Sequence, residues 1–94
     1  MLVIAQHTIH NPEAFWSAAK NVTENLPTAI KLHAVYPSED LKTGVCLWEA
    51  HTTEEVQKFL DDNVGSLAKN ICYKINISEA VGLPRVKENF QFIN

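Results

Sequence analysis

The sequence is short of nearly everything that marks a dedicated chemical motif. Three glycines are too few for a glycine-rich phosphate loop, and no C-x-x-C, H-E-x-x-H or G-x-S-x-G run is present. Cys46 and Cys72 are the only cysteines, a count that suits reduced thiols in a cytoplasmic chain better than a disulfide scaffold. No block of positive charge exists. Lys20, Lys31, Lys42, Lys58, Lys69, Lys74, Arg85 and Lys87 are scattered and the net charge is −3, which argues against nucleic acid as a partner. Apolar runs stay far below the roughly 18 residues of a membrane span. The opening stretch, MLVIAQH, has no cationic region and reads as a strand rather than a secretion leader, so the chain is expected in the cytoplasm. Asn21-Val-Thr and Asn76-Ile-Ser are then chance matches to the glycosylation pattern.

What is there is an ordinary globular composition, 46% apolar over 94 residues, enough for one domain. A chain of this length buries only about 60–65% of its unfolded surface alone, so association is a natural source of further core.

The pattern alternates between strand and helix. Leu2–Ile9 is β-rich and apolar. Asn11-Pro12-Glu13 is a helix start, with a capping side chain, a proline suited to the first turn and an acid at the positive end of the dipole. Phe15, Ala18, Ala19, Val22 and Leu26 follow at helical spacing, and Pro27 ends the helix. Thr28–Tyr36 and Thr43–Ala50 read as strands joined by the turn Pro37-Ser-Glu-Asp. Thr52-Thr53-Glu54-Glu55 fits a capping box, Val56, Phe59 and Leu60 line the second helix, and Asn63 and Gly65 stop it. Asn70–Ile77 is a fourth strand. Residues 1–84 form the predicted domain and 85–94 a C-terminal arm, in which Val86, Phe90 and Phe92 call for a place to bury.

The order β-α-β-β-α-β is that of the split βαβ or ferredoxin-like fold. It predicts an α+β domain with an antiparallel four-stranded sheet, strand order 4-1-3-2, and both helices on one face. Cys46 and Cys72 would lie two strands apart, roughly 10 Å, too far for a disulfide. Alternation assigns Leu2, Ile4, Gln6, Thr8, Ile30, Leu32, Ala34, Tyr36, Cys46, Trp48 and Tyr73 to the helix side. It assigns Val3, Ala5, His7, Ile9, Lys31, His33, Val35, Val45, Leu47, Glu49 and Cys72 to the other. That second face is too apolar for water, which predicts a partner sheet from another copy and a homodimer, with the arm reaching across the interface.

The stretch HAVYPSEDLKTGVCLWEAHTTEEVQKFLDD, followed by NICYKINISEAVGLP, resembles the dimeric α/β-barrel superfamily over about Leu2–Pro84. Cys46–Ala50 with His33 upstream resembles small barrel proteins without an assigned function, some described as nickel-binding. The superfamily also includes cofactor-independent monooxygenases, haem enzymes, stress-responsive proteins and muconolactone-isomerase-like enzymes. The resemblance implies a fold and a dimer more firmly than an activity.

Two groups of side chains carry the functional expectations. His7, His33 and Glu49 share a face by alternation, and two imidazoles with a carboxylate suit a nickel, zinc or iron ion or an acid/base pair. The alternative is that each histidine bonds its neighbours inside a subunit interface. Tyr36, Trp48, Gln6 and Thr8 form an apolar concavity with a few polar groups, as small-molecule sites do, or else belong to the core. His10 and His51 end strands one and three, which are read as parallel and so as placing both on one rim. Cys46 and Cys72 read as inert buried thiols. Three functions stay open: a barrel that binds a small ligand or a transition metal, a cofactor-independent monooxygenase or isomerase for a small aromatic or lactone, and a structural or interaction module.

Overall fold

The computed structural model describes residues 1–84, and the expected arm at 85–94 lies outside the described residues. Six elements follow in the predicted order: β1 Leu2–Ile9, α1 Pro12–Glu24, β2 Lys31–Pro37, β3 Thr43–Glu49, α2 Thr53–Val64 and β4 Ala68–Lys74. The strands form one antiparallel sheet in the order β2-β3-β1-β4. This is the ferredoxin-like α+β arrangement.

Local chemistry sets the helix starts. Asn11 Oδ1 accepts from Ala14 N at 3.2 Å, with Pro12 opening α1. At α2 the capping box closes from both sides. Glu55 N donates to Thr52 Oγ1 at 3.1 Å and Thr52 N donates to Glu55 Oε1 at 3.0 Å. In the β2–β3 turn, Lys42 N and Ser38 Oγ both donate to Asp40 Oδ1, which holds the Asp40 carboxyl below its usual value. Leu41, at the end of that turn, takes a left-handed φ of 65°. Its carbonyl accepts from Trp16 Nε1 at 2.9 Å, tying α1 to the hairpin.

One face of the sheet carries the core. Val3, Ala5 and Ile9 of β1 pack with Cys46 and Trp48 of β3 and Ala68 of β4, beneath Phe15 of α1 and Val56, Leu60 and Val64 of α2. Register arranges this face in rows, because directly paired residues project to the same side. Leu32, Trp48, Val3 and Lys74 form one row, Val35, Cys46, Ala5 and Cys72 the next, and Pro37, Gly44, His7 and Asn70 a third. Cys46 and Cys72 stand on opposite sides of Ala5, and both are free thiols.

Three expectations about faces are corrected. On β1 it is Val3, Ala5, His7 and Ile9 that face the helices, while Gln6 and Thr8 are exposed. Both parities of Leu2–Ala5 are apolar, so only the polar pair Gln6 and Thr8 marks the wet side. On β2 a register shift between Leu32 and Ala34 inserts an extra residue at His33. This β-bulge reverses the alternation, so Val35 pairs with Cys46 on the helix side and Tyr36 with Val45 on the other. On β4, Ala68, Asn70 and Cys72 face inward, and Tyr73 outward. The strand also ends at Lys74, three residues before the expected Ile77.

The rim argument also changes. Strands β1 and β3 are antiparallel, with Leu2 opposite Glu49 and Thr8 opposite Thr43. His10 and His51 therefore sit at opposite ends of the sheet.

Candidate functional site

The face of the sheet away from the helices carries one apolar row and a second that is apolar except at Gln6. Ala34, Leu47, Ile4 and Tyr73 lie side by side across all four strands, and Tyr36, Val45, Gln6 and Ile71 form the neighbouring row. Tyr36 is 67% exposed, Ile71 46% and Tyr73 45%. Alternation along an antiparallel strand should place polar groups here if the face met only water.

At one end of these rows stands the pair His33–Glu49. The bulge turns His33 outward beside Glu49, and Nε2 lies 2.8 Å from Glu49 Oε1. The side chains are 10% and 30% exposed. A carboxylate can only accept, so the bond requires the proton on Nε2. This leaves Nδ1 as an acceptor when the ring is neutral. The geometry suits a histidine whose tautomer and orientation are held by a carboxylate, with its other nitrogen ready to take a proton.

His7 does not join this pair. It lies on the helix side, 3% exposed, with Nδ1 2.7 Å from Asn70 Oδ1 and Nε2 3.2 Å from Cys46 Sγ. Phe15 of α1 covers the ring at a centroid distance of 5.3 Å. Burial lowers the His7 pKa and the Asn70 hydrogen bond opposes that only in part, so the ring is neutral near pH 7. Burial pushes the Cys46 thiol up to about 12, with Cys72 adding to the shift. The two groups are thus a neutral imidazole and a neutral thiol. Asn70 completes a chain of contacts to α2, since its Nδ2 lies 3.3 Å from Asp61 Oδ1.

The expected metal trio is accordingly split between the two faces. Among the described residues only His33 and Glu49 stand together at the open face, fewer protein donors than a resident nickel, zinc or iron ion usually takes. Among the described residues no group of three or more His, Cys, Asp or Glu side chains is arranged to hold an ion. The expected ligand set divides as well. Gln6, Thr8 and Tyr36 line one shallow depression of about 390 Å³ near the hairpin. Trp48 is on the other side of the sheet, buried against Phe59 of α2.

Of these residues Asn70 is not among the sequence candidates, and Cys46 is read there as an inert buried thiol with no link to His7. Asn70 and Cys46 gain their place only from register, because His7 pairs with Asn70 directly and reaches Cys46 diagonally. The single available signal was polar Asn70 beginning an apolar strand.

No protein-family model, curated protein or solved structure matches the chain. No helix among the described residues is long and apolar enough to cross a membrane.

Proposed function

We propose that the chain is one subunit of a two-fold homodimer that binds a small organic molecule against its open sheet face, in the manner of the dimeric α/β-barrel superfamily. The observation that carries this reading is the pair of rows across β2, β3, β1 and β4, apolar except at Gln6, ending at the hydrogen-bonded His33–Glu49 pair. A contiguous apolar face of this kind is more than a monomer ordinarily leaves wet. Two such faces stacked about 10 Å apart bury one another. A closed eight-stranded arrangement has room for side chains or one small ligand. The ligand would be largely apolar, with a single polar group directed at His33.

A second reading rests on the 2.8 Å His33–Glu49 contact. With Glu49 holding Nε2–H, His33 would act as a general base through Nδ1 on a small aromatic or lactone, as a cofactor-independent isomerase or monooxygenase requires.

Light scattering on the full chain tests the assembly, and a stable monomer at micromolar concentration defeats it. Backbone amide shifts recorded while small aromatic acids and lactones are added test the ligand. Movement is expected at Gln6, Ala34, Leu47 and Tyr36, and an unmoved face across that set ends the binding reading. Turnover that survives His33→Gln would exclude the second.

A further inference from the structure

An open sheet has two edges, and the two edges of this one are finished differently. At β2 the strand itself spoils the edge. A bulge sits at His33, and Pro37 closes the strand with no N–H to offer. Both features discourage another strand from adding. At β4 neither device is present. Ala68–Lys74 pairs with β1 without interruption, from Val3–Lys74 to Ile9–Ala68. Its middle, Asn70-Ile71-Cys72-Tyr73, carries no charge.

The bonds at its two ends identify the outward groups of β4. The Leu67 carbonyl accepts from His10 N, and Ile75 N donates to the Leu2 carbonyl. Odd-numbered residues therefore turn their backbone groups to β1. Along an antiparallel strand the direction alternates, so Asn70 and Cys72 turn theirs away from the sheet. Gln57 of α2 meets them there. Its Nε2 donates to the Asn70 carbonyl at 2.7 Å, and its Oε1 accepts from Cys72 N at 3.0 Å. Asp61 holds the amide in that sense, because Asp61 Oδ2 lies 3.1 Å from Nε2 and a carboxylate can only accept. One side-chain amide thus stands where the backbone of a further strand would stand.

We propose that the β4 edge is a self-association surface kept closed by Gln57, and that the strand it fits is β4 of a second copy, running antiparallel. The strand is complementary to itself about a two-fold axis. With Asn70 opposite the partner's Cys72, outward backbone groups meet outward backbone groups, and Ile71 meets its own copy. Lys69 then lies opposite the partner's Tyr73 and Lys74 opposite the partner's Ala68. No like charges face each other across the pair, which is the arrangement a strand pair favours. The edge lies at the rim of the sheet, apart from the open face, and the proposal stands whether or not that face binds a copy. Gln57 decides whether copies can also join through β4.

The test opens the edge. The full-length native chain and Gln57→Ala are compared by sedimentation velocity across the micromolar range, with reductant present so that Cys72 cannot link copies by a disulfide. As concentration rises, the variant is expected to form a species of twice the mass at which the native chain sediments, whichever state that is. Amide exchange at Cys72 is expected to be fast in the dilute variant and to slow by roughly tenfold or more on concentration, as pairing protects the N–H. Sedimentation identical to the native chain at every concentration overturns the proposal. Adding Cys72→Pro to the variant removes the outward N–H and leaves the bonds to β1 in place. It is expected to abolish the new species. A species that persists in the folded double variant uses another surface, and also overturns the proposal. Should Gln57→Ala fail to fold, Gln57→Met keeps the length of the side chain without either polar atom and is read in the same way.

Discussion

His7 occupies a place where charge is expensive, and this makes its titration a stability statement. Its pKa lies below the ordinary 6.5 because burial disfavours the imidazolium. The unfolded chain therefore binds a proton first as pH falls. Stability due to His7 is intact above about pH 6.5 and is lost progressively below it, until the folded ring also protonates. The hydrogen bond with Asn70 works in the opposite direction, so it softens this loss without removing it. Urea midpoints between pH 7 and pH 5 should fall in the native chain and fall less in His7→Gln. A second residue works against the fold. Leu41 holds φ at 65°, a region that costs a residue with a Cβ about 1–2 kcal/mol. Leu41→Gly should raise stability by about 1 kcal/mol in urea titrations, since the turn uses backbone groups of Leu41, its N–H toward the Ser38 carbonyl and its carbonyl toward Trp16.

At the scale of elements, one side chain of α2 makes two hydrogen bonds to the backbone of β4. Gln57 Nε2 donates to the Asn70 carbonyl at 2.7 Å and its Oε1 accepts from Cys72 N at 3.0 Å. Gln57→Ala removes both bonds to β4 and should cost about 1–3 kcal/mol, read as a lower urea midpoint with faster amide exchange at Cys72. Gly44 is a tight point on the other side of β1. A Cβ there would meet the Trp16 ring at 3.1 Å, and that ring is pinned by its bond to Leu41. Gly44→Val should therefore destabilise by about 1–3 kcal/mol as an overpacked site does. Most of the element plan was legible in the chain, because Asn11-Pro12, the Thr52–Glu55 box and the hairpin turn are local devices with local causes. The candidate site was less so. The bulge at His33 leaves no mark in the alternation of Leu32–Tyr36, yet it decides which side Tyr36 and Val35 occupy. The His7–Cys46–Asn70 contact joins positions 39 and 63 residues apart, and only strand register brings them together.

For the whole molecule, the decisive surface is the open sheet face. If Ile4, Leu47, Ile71 and Tyr73 meet a second copy, a charge placed among them is buried in the pair and exposed in the single chain. Ile71→Glu should shift the full chain from dimer to monomer in analytical ultracentrifugation while leaving its circular dichroism unchanged. An unchanged sedimentation coefficient would show that this face does not mediate assembly. Truncation after Pro84 separates the contribution of residues 85–94, and an identical dimer and melting temperature would assign the interface to the sheet alone.

The central position of β1 has a consequence for synthesis. Of the four strands this one is made first, yet both its neighbours, β3 and β4, come later in the chain. The last residue that pairs with it is Lys74. At ordinary elongation rates the nascent chain then carries LVIAQHTI without its second partner for on the order of several seconds. Its pairings are all long-range, so the sheet cannot close in stages from its beginning. A cell making this protein must keep that first strand from meeting its counterpart on a neighbouring ribosome until the final strand has emerged.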